Sequence, residues 1–338
     1  MTQHAPEVTP DLFWETMVAF QRSAALKTAI DLDIFTKIGE GNSTAAEIAK
    51  AAGAAERGVR ILSDSLTVMG FLTKTGNSYA LTEACAAFLD KRSQMYLGSA
   101  VNFILSPQQK RGFEDLTDAV KNGGSRVTGE ASMDPESEMW VEFARSMAPL
   151  MFPTAQAVAE NVGLDPDREI KVLDIAAGHG TYGIMVGKRY PNAQIYGADW
   201  NKVLTVAKEN AEKFGVADRY HTIGGDAFES DFGPGYDVIL VPNFLHHFDV
   251  PTCEKFIRKL DASLAEGGKI LTVEFVPNED RVSPPPSAMF PLVMLAATPG
   301  GDAYTYSELK KMFENSGFAN NEIVELHPMP QHLIISTR

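Results

Sequence analysis

Apolar positions keep a helical spacing through the first seventy residues, then switch to the alternation of short strands. Phe13, Met17, Phe20, Ala24, Leu32 and Phe35 predict helix over residues 13–35, broken by a turn near Asp31. Thr44-Ala-Ala-Glu47 has the hydroxyl and carboxylate of a capping box, so a short helix starts there and ends near Gly53. A second helix spans residues 56–69 and closes at Gly70. Residues 71–82, FLTKTGNSYALT, read as two strands around Thr75-Gly76-Asn77. Helix, turn, helix and hairpin in that order make a winged helix.

Residues 93–162 return to helical spacing, interrupted by a Gly-, Ser- and acid-rich stretch at 122–138 that predicts a loop. Trp140, Phe143, Met147 and Met151 follow one another at three- or four-residue steps. Such a stripe is either a core face or one wall of an apolar pocket. From residue 169 the pattern is strand and helix in alternation: IKVLDIA, AQIYGAD, RYHTIGG, YDVILVPN and KILTVEFV, then NEIVELH and QHLIISTR. Helices are expected at 201–214 and 251–264, and a capped one begins at Thr305-Tyr-Ser-Glu308. This is an α/β pattern with a parallel sheet. Three segments follow: 1–92 as the winged helix, 93–165 as a helical connector contributing to the substrate pocket, and 166–338 as the α/β catalytic domain.

Charge narrows the partners. The 338-residue chain has a formal charge of −14, which argues against nucleic-acid binding. Its first hundred residues hold nine basic and eleven acidic side chains. The helix that would enter a DNA groove offers only Arg57 and Arg60 among apolar and acidic neighbours, so it reads as a surface for protein. Residues 1–15 are acidic and polar, unlike an export signal, and the apolar run 288–297 is short and contains Pro291. Two cysteines, Cys85 and Cys253, stand in no metal or disulfide pattern, which suits a reducing cytoplasm.

The informative stretch is VLDIAAGHGTYG, residues 172–183. Gly178, Gly180 and Gly183 match the spacing of a dinucleotide fingerprint between a strand and a helix. Asp174 weighs against that ligand. A carboxylate at the strand end repels a pyrophosphate and attracts an ammonium or sulfonium. S-adenosylmethionine carries both, and the glycines then allow close backbone approach. Asp199 ends the next strand, where it can accept from ribose hydroxyls, a placement that would also serve a nicotinamide nucleotide. Asp226-Ala227-Phe228 follows the third strand, where a carboxylate can bind an adenine amino group and a ring can lie against the base. Each Asp alone could be a cap or turn residue; three at successive strand ends point to a site.

At these residues the chain resembles the class I methyltransferases. More narrowly, it is similar to the small-molecule O-methyltransferase family of plant caffeic-acid-type enzymes and bacterial polyketide, phenazine and hydroxyneurosporene enzymes. The resemblance covers nearly the whole chain. It implies a Rossmann-like domain binding S-adenosyl-L-methionine, a winged-helix domain forming an intertwined homodimer, and a small-molecule substrate. Carried over to this sequence, it implies cofactor contacts at Asp174, Ala176, Gly178, Gly180, Asp199, Trp200, Asp226, Ala227, Phe228 and Asn243, with His179 beside them. Phe143 and Met147 match the family's pocket residues. His246, in PNFLHHFD, matches a general base, with His247 expected to face away, and Glu274 matches an acid that orients that base. The family's second such acid falls on Ala303, with Asp302 next to it as a substitute, and a cofactor-binding Lys of the plant enzymes falls on Pro242.

Met289, Phe290 and Met294 lie on an expected helix, as an adaptable apolar wall or an ordinary buried face. No metal-ligand spacing is present. The expected function is O-methylation of a small hydrophobic or aromatic hydroxylated metabolite. The alternatives are transfer to carbon, nitrogen or sulfur, a cofactor-binding regulator, and a nicotinamide oxidoreductase.

Overall fold

The structure is a computed structural model that describes residues 9–126 and 138–338. Most of the expected loop at 122–138 therefore lies outside the described residues. The chain falls into two compact units, Met1–Leu105 and Ser106–Arg338.

In the first unit, α1 (Asp11–Asp31) precedes α2 (Ile34–Gly39). Helix α3 (Ala45–Ala52) starts at the capping box: Glu47 N–H donates to Thr44 Oγ1 at 3.3 Å, and Thr44 N–H donates to Glu47 Oε2 at 2.9 Å. Helix α4 (Glu56–Val68) leads to a hairpin of β1 (Leu72–Thr75) and β2 (Ser78–Leu81), closed by Gly76-Asn77 with Gly76 at φ 60°. Asp64 on α4 binds the hairpin, accepting from Lys74 Nζ at 2.5 Å and from Tyr79 Oη at 2.7 Å. The same carboxylate pairs with Arg60, so a base-facing donor of a DNA reader is spent inside the unit. Ile34, Phe35, Ile48, Val59, Leu66, Leu72 and Tyr79 form the core. Short helices α5 (Glu83–Phe88) and α6 (Ala100–Ile104) complete the unit. On α1, Leu12, Phe13, Trp14, Met17 and Phe20 stay exposed.

The second unit opens with α7 (Pro107–Glu114), α8 (Leu116–Asn122) and α9 (Glu138–Glu160). Strand and helix then alternate: β3 (Lys171–Ile175), α10 (Thr181–Arg189), β4 (Gln194–Asp199), α11 (Asn201–Lys213) and β5 (Tyr220–Gly224). After these come β6 (Tyr236–Pro242), α12 (Val250–Asp261), β7 (Leu264–Glu274), α13 (Pro285–Ala297), α14 (Tyr306–Asn315), β8 (Asn320–Glu325) and β9 (His332–Thr337). The sheet order is β5-β4-β3-β6-β7-β9-β8, with β9 antiparallel to both neighbours and the first five strands parallel. Helix α9 packs on α10 and α11, while α7 and α8 pack on α13. Residues 106–165 therefore group with the sheet and residues 93–105 with the first unit.

Strand order reverses between β3 and β6, and in open α/β sheets ligands bind at the carboxyl ends of the strands flanking such a point. The residues just past those ends, Ala176 and Asn243, both take the left-handed backbone, at φ 48° and 52°. Non-glycine residues in that region are costly and concentrate at functional sites. No helix among the described residues is long and apolar enough to cross a membrane.

Thr44→Ala should lower the stability of the first unit by about 1 kcal/mol by uncapping α3. Urea denaturation followed by circular dichroism checks it, and an unchanged midpoint would show that the cap contributes nothing.

Candidate active site

The loop from β3 to α10 is shaped by what it must clear. A Cβ on Gly183 would come within 2.7 Å of Ile195 Cγ2 and 2.9 Å of Asp174 Oδ2, so helix and strand meet this closely only at glycine. Gly178 and Gly180 have φ of 57° and 72°, the region glycine enters without penalty.

Beneath that loop Asp174 has no exposed surface. Its Oδ2 accepts from Gly183 N–H at 2.9 Å, and its Oδ1 has no partner. Burial, with a smaller contribution from the Asp199 charge, pushes its carboxyl up to about 8. Asp174 thus lies under the first turn of α10, with a single oxygen left to bind. Asp199 straps β4 to the loop: Oδ2 accepts from Gly178 N–H at 2.8 Å and Oδ1 from Trp200 N–H at 2.7 Å. Burial pushes this carboxyl up to about 6. His179 is buried, which lowers its imidazole to about 4 and leaves it neutral, with its ring stacked on Tyr182. Trp200, Trp140 and Val141 pack against the cluster of Ala144, Val203 and Val206, joining the start of α11 to α9.

After β5, Asp226 Oδ1 accepts from Phe228 N–H at 2.8 Å and forms a local turn. Lys259 on α12 donates to the carbonyls of Ala227 (2.8 Å) and Phe228 (2.7 Å). The Phe228 ring belongs to a cluster with Phe244, Phe248 and Phe256. These residues hold the turn firmly at the strand ends.

Past β6, Asn243 N–H donates to Val273 O at 2.7 Å, and the chain enters a 3₁₀ turn, Leu245–His247. Glu274, at the end of β7 and 3% exposed, is the anchor of that turn. Its Oε1 accepts from the N–H groups of Phe244 (3.1 Å), Leu245 (2.9 Å) and His246 (3.3 Å). Its Oε2 lies 2.5 Å from His246 Nδ1. With Nδ1–H donating to this carboxylate, the matching imidazole tautomer has Nε2 as its acceptor.

Aromatic rings wall the dyad. Phe290 meets His246 edge-to-face at 4.9 Å and stacks on Phe275 at 4.1 Å. His247 is held neutral by burial, well below its ordinary value, and lies between His246 and Trp140, which also touches Phe143. Met147 and Met294 are buried, at 8% and 4% exposure. Met289 is 62% exposed. Five residues are about 140° around a helix, so Met289 faces away from Met294, whereas Phe290 and Met294 share a face. Asp302 pairs with Arg281 at 3.4 Å, and among the described residues no hydrogen bond joins it to His246. Glu274 therefore serves the imidazole without it.

Sequence patterns passed over two participants. Phe275 and Tyr182 read as ordinary strand and helix residues, yet one stacks on Phe290 and the other accepts from Asn243 Nδ2 at 3.3 Å. Asn243 Oδ1, like Asp174 Oδ1, is buried without a partner. These two acceptors and the glycine cradle suit a cationic nucleoside better than a diphosphate, since no Lys or Arg lies in residues 172–183. Among the described residues no cluster of His, Cys, Asp and Glu could hold a metal ion.

A family model described as the O-methyltransferase domain matches residues 113–319, and one for the O-methyltransferase dimerisation domain matches residues 14–91. The tetracenomycin polyketide synthesis 8-O-methyl transferase of Streptomyces glaucescens is 26% identical over 331 residues, 95% of this chain and 94% of the relative. A crystal structure from Nostoc punctiforme PCC 73102, assigned as an O-methyltransferase, superposes with a TM-score of 0.93 at 48% identity, covering 98% of this chain and all of that one. Human N-acetylserotonin methyltransferase, solved in complex with SAM, shares the fold with a TM-score of 0.86 at 21% identity and 99% coverage of each chain.

The raised carboxyl of Asp174 gives a pH dependence of definite sign. Between the ordinary value of 3.8 and about 8 the folded protein keeps a proton that the unfolded chain has lost. This contribution to stability therefore falls as pH rises through that window. A cationic ligand favours the ionised form, so its affinity should climb from pH 6 to 8, and Asp174→Asn should flatten the climb. Calorimetric titration at the two pH values decides it; a flat wild-type profile contradicts the assignment.

Proposed function

The chain belongs to the O-methyltransferase family and is an S-adenosylmethionine-dependent enzyme, and from that premise we propose that it methylates a hydroxyl of a small, flat, hydrophobic metabolite with His246 as base. The observation that carries this reading is the Glu274–His246 pair: a buried carboxylate that fixes both the ring and the backbone of the turn bearing it.

Bound S-adenosylmethionine supplies a methyl group on a cationic sulfur that departs as a neutral thioether. The chain's own task is then to orient the acceptor and take its proton. His246 Nε2 receives the hydroxyl proton as the oxygen bonds to carbon, and Glu274 stabilises the imidazolium through Nδ1. Phe143, Met147, Phe290 and Met294 form the apolar wall against which a flat acceptor lies; Met289, facing solvent, takes no part. Asp199 holds the ribose hydroxyls. Asp226, Ala227 and Phe228 hold the adenine. The residues of the glycine loop, Ala176, Gly178 and Gly180, with Asp174, Trp200 and Asn243, hold the remainder of the donor. The name of the Streptomyces relative, a polyketide O-methyl transferase, supports an acceptor of this chemistry. Both cysteines are free buried thiols, which supports a cytoplasmic setting.

The dimerisation domain supports a homodimer formed through α1, whose row of exposed apolar side chains has no cover within its own unit.

Two outcomes are expected. His246→Ala lowers kcat on hydroxylated fused-ring acceptors by about 100-fold or more and leaves the calorimetric Kd for S-adenosylmethionine nearly unchanged; equal losses in both remove His246 from the base role. The double variant Phe13→Glu, Phe20→Glu converts a dimer into a monomer in light scattering, and an unaltered mass refutes the α1 interface.

A further inference from the structure

Glu274 holds the His246 turn by its N–H groups, but the carbonyl side of the turn is held by something with no side chain at all. Residues 298–301 come back from the end of α13, and the α-carbon of Gly301 faces the His246 carbonyl. A Cβ placed there would lie 2.2 Å from His246 O, 2.7 Å from Thr298 Oγ1 and 3.0 Å from the His247 carbonyl carbon. Two of these are backbone atoms. The third cannot swing aside, because buried Thr298 donates to Met294 O at 2.8 Å and accepts from Gly301 N–H at 2.8 Å. Gly301 does not have a positive φ, so its backbone is open to any residue. Only the missing side chain matters.

The neighbouring glycine supplies the contrast. Gly300 also lacks a positive φ, and a Cβ on it would meet only Asp249 Cβ, at 3.5 Å, an ordinary contact. Two adjacent glycines in one turn therefore have unlike burdens, one of them pressed on the catalytic turn and the other not.

We propose that Gly301 is a positioning residue of the methyl transfer: its bare α-carbon sets the spacing between the 298–301 loop and the His246 turn, and so the aim of His246 Nε2. The proposal rests on His246 acting as base. Relieving a 2.2 Å approach to ordinary contact displaces the turn or the loop by about 1 Å. A misplacement of that size costs on the order of 100-fold in rate.

The test pairs Gly301→Ala with Gly300→Ala in the full-length protein. Gly301→Ala is expected to lower kcat by about 100-fold, to keep the S-adenosylmethionine Kd close to wild type, and to move the pH profile of kcat. It should also shift the low-field proton resonance of His246 Nδ1, which reports the Glu274 contact without any turnover. Gly300→Ala is expected to match wild type throughout. Wild-type kcat in Gly301→Ala, a Kd that worsens in step with kcat, or an equal fall in Gly300→Ala overturns the proposal. If Gly301→Ala does not fold, Thr298→Val takes its place: it frees the Gly301 N–H without adding bulk and should lower kcat at constant Kd, and an unchanged kcat counts against the idea. A wild-type protein that transfers no methyl group to any acceptor sinks the base reading instead, while the resonance still reports whether Gly301 positions the ring.

Discussion

A single buried carboxylate joins the two halves of this site. Glu274 stands at the end of β7, yet three of its hydrogen bonds come from the backbone just past β6 and the fourth from the His246 ring. Removing a carboxylate from water is costly unless its lone pairs are used, and here each oxygen has a donor. The arrangement therefore holds only when the two strand ends are brought together by the parallel pairing of β6 with β7, Pro242 opposite Val273. Fold and imidazole orientation are one constraint.

The other carboxylates of the crevice follow a different logic. Asp174 is fully buried and Asp199 largely so; among the described residues neither has a cation paired with it, and desolvation pushes both upward in pKa. Backbone N–H groups of the glycine loop compensate in part. What remains uncompensated lies beside the left-handed backbone of Ala176 and Asn243, so polar and conformational cost are concentrated at the same strand ends. Two kinds of carboxylate site thus occupy neighbouring strand ends, Asp174 and Asp199 about β3 and β4 and the His–Glu pair about β6 and β7.

Around the dyad the chemistry is almost wholly apolar. Phe290 and a neutral His247 flank His246, backed in turn by Phe275 and Trp140, and among the described residues Glu274 is the one carboxylate hydrogen-bonded to that ring. Asp302 sits two residues beyond Gly300, close in sequence to the position where a second acid was expected, but Arg281 holds it. An imidazole oriented by one carboxylate takes its direction from the backbone that carries both, and the 298–301 loop packs directly behind that turn.

Local signals were legible in the chain because they act over a few residues. The capping boxes at Thr44 and Thr305 need only a hydroxyl and a glutamate three apart, and both form as read. The alternation of strands and helices and the glycine loop after β3 also depend on near neighbours, and the sheet contains every expected strand. Even the pairing of Glu274 with His246 was visible through resemblance. The rest was decided by contacts between distant segments. Whether Met289 or Phe290 faces His246 depends on how α13 is rotated against its neighbours, which apolar composition alone cannot set. Asp174 and Asp199 read alike as acids at strand ends, but one lies wholly under α10 and the other straps the loop, because burial is a property of packing. Gly300 and Gly301 are the same letter twice; only the backbone of a turn more than fifty residues away leaves the second one no room for a Cβ.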